Sequence, residues 1–235
     1  MVLRLEELAK TIDHTLLGPT TTLLDVERLC DEARVHHFAS VCVPPFQVPP
    51  AVDRLRGCDV KVCTVVSFPF GTDSARAKIA AAEHCVAAGA DELDVVLNVA
   101  ALLSGDFRYV RDELVALVGA VRVKSVNAGK GLVLLKVILE CCQLDDKLKK
   151  LACKITEDAA ADFVETSTGY GPGGATLHDV ELLRDSLPES VGVKASGGIV
   201  RAEDAEAIVG AGAGRIGTEH GVAIMRGFAE LKKAS

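Results

Sequence analysis

The sequence predicts one fold, a parallel (β/α)8 barrel of the TIM type formed by residues 1–235 as one domain. Three observations carry this expectation. Short apolar runs rich in β-branched residues alternate with amphipathic stretches, and there are eight such runs. Runs such as Leu132-Val-Leu-Leu-Lys-Val-Ile-Leu are nearly continuous, which suits strands covered on both faces. A chain of 235 residues is also close to the usual size of one such barrel.

The strands are expected over residues 11–17, 38–43, 61–68, 92–99, 132–140, 162–168, 192–198 and 215–218. Among the intervening helices, one over 74–88 has Ser74 as N-cap and Gly89 as its stop. Another over 202–209 presents Ala205, Ile208 and Val209 to the barrel. The joints Ala88-Gly-Ala-Asp and Ala211-Gly-Ala-Gly place a glycine where helix gives way to strand. No G-x-G-x-x-G follows the first strand, which argues against a dinucleotide-binding open sheet.

With 49% hydrophobic residues, 4% aromatics and no Trp, the core must be built from Val, Leu, Ile and Ala. A net charge of -7 and a pI near 5.4 argue against nucleic acid as a partner. Lys147 and Lys149 alternate with acids and are read as a solvated helix face. The eight cysteines form no C-x-x-C pair and are read as reduced, mostly buried thiols. The start, Met1-Val-Leu-Arg-Leu-Glu-Glu, is amphipathic and has no signal-peptide core, and no stretch approaches the ~20 apolar residues of a membrane span. A cytoplasmic protein without membrane partners is expected.

Charged residues inside apolar strands are costly unless they converge on something polar. Lys136, Glu165 and Lys194 are spaced by 29 residues each time, and Asp94 is a fourth charge of this kind. Near the C-terminal ends of barrel strands such residues face the active site. Ser196, Gly197 and Gly198 end the seventh strand and Gly217 and Thr218 the eighth. In barrels these two strand ends commonly bind phosphate through backbone N–H groups. Thr166-Ser-Thr-Gly-Tyr-Gly-Pro-Gly-Gly adds a polar loop after the sixth strand. Cys42 ends the second strand and is read as a packing residue beside the substrate. His14 is read as hydrogen-bonded within the barrel.

The phrases Ile12-Asp-His-Thr-Leu-Leu, Ser40-Val-Cys-Val, Phe68-Pro-Phe-Gly, Glu92-Leu-Asp-Val-Val, Leu135-Lys-Val-Ile-Leu-Glu, Val193-Lys-Ala-Ser-Gly-Gly-Ile and Arg215-Ile-Gly-Thr occur in this order. Together they resemble deoxyribose-phosphate aldolase, from about residue 8 to about residue 228. The resemblance implies a class I aldolase that cleaves 2-deoxyribose 5-phosphate to glyceraldehyde 3-phosphate and acetaldehyde, without metal or cofactor. A lysine forms an imine with the substrate, and a second lysine lowers its pKa. Carried over, Asp94 is the proton-relay aspartate and Lys194 the helper lysine. Lys136, Thr166, Ser196, Gly197, Gly198, Gly217, Thr218 and Glu219 lie around the substrate and its phosphate. A homodimer or higher homo-oligomer is also implied.

Two departures fall inside this inferred site. Where the family reads Phe-Val-Lys-Thr-Ser-Thr-Gly, this chain reads Phe163-Val-Glu-Thr-Ser-Thr-Gly, and a carboxylate cannot form an imine. Gly217-Thr-Glu-His-Gly sets Glu219 and His220 at the phosphate end, where a carboxylate repels a dianion. The expected consequence is an aldolase scaffold with native cleavage of the phosphosugar lost or altered, Glu165 being paired with Lys136 or Lys194. The alternatives are a non-catalytic sugar binder, a retooled lyase or hydrolase with Glu165 as general base, and weak imine rescue at Lys194 or Lys136. A divalent metal held by Glu165, Asp94, Glu219 and His220 is a further, less favoured reading.

Overall fold

The structure, a computed structural model, describes residues 3–234. Met1 and Val2, part of the N-terminal stretch read as amphipathic, lie outside the described residues. Eight parallel strands run β1 (Ile12–Thr15), β2 (Ser40–Val43), β3 (Lys61–Val66), β4 (Glu92–Val96), β5 (Leu134–Ile138), β6 (Phe163–Glu165), β7 (Gly192–Ser196) and β8 (Arg215–Thr218). Each pairs with the next, and β8 closes on β1 through Ile12↔Ile216, Asp13↔Gly217 and His14↔Thr218. Every predicted run contains one strand. Apart from β8, the strands are shorter because the ends of the runs serve as loops. Val99 opens a helix, and Leu132 is exposed ahead of β5.

Helices α1 (Leu5–Ala9), α2 (Leu23–His36), α3 (Val48–Arg54), α4 (Ala75–Ala88), α5 (Val99–Leu103), α6 (Phe107–Asn127), α7 (Asp146–Asp158), α8 (Leu177–Ser186), α9 (Ala202–Gly210) and α10 (Gly221–Ala234) surround the strands. Their apolar stripes meet the outward faces of the strands in a core of Val, Leu, Ile and Ala. Leu93, Val137, Val164, Val193 and Ile216 belong to it, all fully buried. Ser74 caps α4 by accepting a hydrogen bond from the Ala77 amide. Gly89 (φ 111°) and Gly212 (φ 112°) follow α4 and α9 in the left-handed conformation that glycine adopts without strain. Ala205 and Ile208 are buried on α9 as the pattern requires.

Two expectations need correction. Lys149 is not solvated: it is buried and bridges Asp179 at 2.7 Å and Asp146 at 3.2 Å, tying α7 to α8, while Lys147 is exposed. The long lysine stem covers the apolar seam between the helices while its ammonium reaches the two carboxylates. His14 does not face the barrel interior. Strand alternation turns it outward, where Nε2 lies 2.8 Å from Glu32 of α2. All eight cysteines are free thiols, and Cys142 is exposed. Among the described residues, no helix is long and apolar enough to cross a membrane.

Candidate active site

The inward positions of the strands carry two layers of polar side chains. The lower layer is a closed network of charges. Arg215 of β8 reaches Asp13 of β1 and Glu92 of β4, each at 2.6 Å. Lys136 of β5 reaches the same two carboxylates, Glu92 at 2.7 Å and Asp13 at 3.5 Å, and Asp94 at 2.8 Å. Asp13 also accepts a hydrogen bond from Ser40 at 2.7 Å. The upper layer rests on this one through Lys194 of β7. Its ammonium lies 2.5 Å from Asp94, 3.2 Å from Asp13 and 3.2 Å from Glu165 Oε1. Ser196 donates to the same Glu165 oxygen at 2.5 Å. The other, Glu165 Oε2, is buried and has no hydrogen-bond partner among the described residues.

The charge balance follows from these contacts. Three cations (Lys136, Lys194, Arg215) face four carboxylates (Asp13, Glu92, Asp94, Glu165), all of them buried except the partly buried Arg215. Burial alone pushes Asp13 and Asp94 up, but the cations around them outweigh it and hold both below the usual carboxylate range. Burial likewise pulls Lys136 and Lys194 down, and their carboxylates more than compensate, so both ammoniums hold their protons well above the normal value. Glu165 is the odd acid. Burial raises it to about 7, with Asp94 adding to the rise and Lys194 opposing it. Lys194 favours the ionised form of Glu165, but the loss of hydration is larger.

This state links stability to pH. Between the ordinary glutamate value of 4.5 and about 7, the folded protein keeps the Glu165 proton that the unfolded chain has lost. The stabilisation is complete below 4.5 and is lost as pH rises through 7. A Glu165→Gln variant has no such group to titrate. It is expected to gain on the unaltered protein by up to about 3 kcal/mol between these limits. Urea midpoints of the two proteins at pH 5 and pH 8 check this, and a gap independent of pH would refute it.

Above the network opens a cavity of about 320 Å³ at the C-terminal ends of the strands. Of the residues expected at the site, Asp94, Glu165, Lys194, Ser196, Gly197, Gly198, Gly217, Thr218 and Glu219 all line it, and His220 joins them. Lys136 and Thr166 do not. Lys136 is fully buried beneath the cavity. The equal spacing of 29 residues misleads because the strands are staggered: Glu165 pairs with Ile138 on β5, two residues beyond Lys136. Thr166 points to β7, where it accepts from the Ser196 amide at 3.1 Å. Cys42 lines it as well, and the structure adds Thr15, Phe68, Thr168 and Tyr170, with Phe68 and Tyr170 in edge contact. A Cβ at Gly217 would lie 2.3 Å from Ser196 Oγ and displace the hydroxyl that donates to Glu165. Gly197 and Gly198 hold φ of 90° and 79° at the rim. Beside them, the Thr218 hydroxyl accepts from the His220 amide just ahead of α10.

The metal set considered from the sequence is not assembled. Among the described residues, the only group with ligand atoms within 4.8 Å of one another is Cys42, Cys63 and Asp94. The Lys136 ammonium already stands 3.3 Å from Cys63 Sγ and 2.8 Å from Asp94, so a cation is in place there.

Fold and site together define a barrel enzyme whose lysines and carboxylates converge beneath a cavity at the strand ends. The DeoC/LacD family aldolase pattern matches residues 8–229, and the chain belongs to that family. The family is one of class I aldehyde-lyases. A deoxyribose-phosphate aldolase of Thermoanaerobacter sp. (strain X514) is 48% identical over 225 residues, covering 96% of this chain and 98% of its own. The Treponema denticola deoxyribose-phosphate aldolase is 47% identical over 221 residues, covering 94% and 99%. Among solved structures, the tetrameric deoxyribose phosphate aldolase of Aeropyrum pernix superimposes with a TM-score of 0.86 at 36% identity, covering 97% of this chain and 93% of that one.

Proposed function

We propose that this chain is an aldolase-family barrel that binds a small carbonyl sugar or aldehyde without forming an imine, and so does not cleave 2-deoxyribose 5-phosphate as its relatives' names describe. One observation carries the reading: residue 165 is a carboxylate, and the only lysine lining the cavity among the described residues, Lys194, is held by three carboxylates as an ammonium. An ammonium has no lone pair to offer a carbonyl carbon. Asp94 and Lys194 orient and polarise the ligand, and Gly197, Gly198, Gly217 and Thr218 border its far end. Glu219 adds negative charge at that end and disfavours a phosphate. As in the tetrameric Aeropyrum pernix relative, the barrel works as a homo-oligomer.

Incubation with acetaldehyde and borohydride, followed by intact mass and peptide mapping, tests the reading. No adduct is expected. Labelling of Lys194 or Lys136 would show that imine chemistry survives and would end the proposal. Calorimetric titration should show 2-deoxyribose binding at least as tightly as its 5-phosphate. A clear preference for the phosphate would remove Glu219 from the argument.

A further inference from the structure

We infer that Glu165 and Lys194 together catalyse proton exchange at the carbon beside the carbonyl of a small unphosphorylated hydroxy-aldehyde or hydroxy-ketone, with no covalent intermediate. The inference rests on the non-imine reading above and adds an activity to it.

The geometry separates the two carboxylate oxygens of Glu165. Oε1 is engaged by Ser196 at 2.5 Å and Lys194 at 3.2 Å, which fixes the plane of the group. Oε2 has no partner among the described residues although it is buried, and the residue lines the cavity. An unpaired buried carboxylate oxygen is costly unless a ligand meets it. Lys194, in the same wall, offers the positive charge that an enolate oxygen needs. Leu17, Val65, Phe68, Ile138 and Ile199 add apolar surface to the same wall.

The step balances without any other reactant. Glu165 Oε2 removes the α-proton, the C–H pair becomes the carbon–carbon double bond, and the carbonyl π pair moves onto oxygen. As Glu165 becomes neutral, Lys194 keeps its proton and turns the N–H that faced Glu165 to donate a hydrogen bond to the new oxyanion, so the negative charge stays beside the ammonium throughout. The proton held by Glu165 exchanges with water entering the open cavity, and return of the exchanged proton to carbon restores the carbonyl compound carrying solvent hydrogen. The groups facing Glu165 and setting its ionisation are Lys194 and Ser196 on β7, Asp94 on β4 and Lys136 on β5. Their balance leaves the acid near neutrality, where a general base is most effective.

Proton NMR of dihydroxyacetone in D2O tests the inference. Loss of the α-proton signal is expected to run about 10²- to 10⁴-fold faster with the protein than in buffer, the usual contribution of one positioned base. The rate should rise with pH through about 7, where Glu165 ionises, and then level off. Glu165→Gln should fall to the buffer rate while melting cooperatively like the unaltered protein. Exchange no faster than buffer, from a protein that borohydride leaves unlabelled, would overturn the inference and leave the non-imine reading standing. Exchange abolished by borohydride, with a labelled lysine, would overturn both. Exchange that persists in folded Glu165→Gln would overturn the role of Glu165.

Discussion

A Glu165→Lys variant is expected to be labelled at residue 165 by acetaldehyde and borohydride, and to cleave 2-deoxyribose 5-phosphate at least about 10³-fold faster than the unaltered protein. The magnitude is what a single nucleophile commonly contributes when the rest of a site is in place. The argument is one of charge. As it stands, the barrel holds three cations against four carboxylates, so every lysine keeps its proton and one acid is left over. Lysine at 165 reverses the balance to four cations against three carboxylates. The new amine would lie near the Lys194 ammonium, which Glu165 now meets at 3.2 Å. In that position a proton is poorly held, and one amine becomes free at neutral pH. Because Glu219 still opposes the phosphate, the gain should appear in kcat more than in KM, and adding Glu219→Ser should improve KM. A folded Glu165→Lys protein with no label at 165 would mean that more than this residue separates the site from its relatives.

The fold was largely legible because its signal is repetitive. Eight apolar runs, glycine stops such as Gly89 and Gly212, and near-continuous strands like β5 repeat one unit, so an error at one strand end, as at Leu132, does not change the count. The upper layer of the site was legible for a related reason. Asp94, Glu165 and Lys194 are charges where the pattern demands apolar residues, and Ser196, Gly197, Gly198, Gly217 and Thr218 follow directly in chain order. The lower layer was not. Asp13, Glu92 and Arg215 sit at strand beginnings, where a charge is usually solvated, and only closure of the barrel brings them around Lys136. Thr15 and Phe68 have ordinary strand or loop identities, so nothing local marks them as cavity walls, while Tyr170 was legible only as part of the polar loop after the sixth strand. Thr166 and Lys136 were misplaced because sequence spacing carries neither strand stagger nor the facing of a side chain.

Lys136→Met is expected to destabilise the protein by about 3–5 kcal/mol at pH 8, the usual cost of removing one partner from a buried charge cluster. Methionine nearly fills the volume, so a cavity contributes little. What remains is electrostatic. Asp13, Glu92 and Asp94 lose the ammonium 3.5, 2.7 and 2.8 Å away, and only Arg215 and Lys194 are left to balance them. The pH dependence follows from the sign of that loss. With Lys136 present, Asp13 and Asp94 are held below the usual carboxylate range and are fully ionised at pH 5 and above. Without it their pKa values rise, and protonation at lower pH relieves the unbalanced charge. The gap between the two proteins should therefore narrow as pH falls from 8 to 5, the opposite of a loss caused by packing, which would not vary with pH. Urea unfolding at both pH values separates these outcomes. Asp94→Asn added to Lys136→Met should recover part of the loss, because it removes one of the carboxylates that the missing lysine balanced. Destabilisation of the double variant equal to the sum of the two single ones would show that Lys136 and Asp94 act independently despite their 2.8 Å contact.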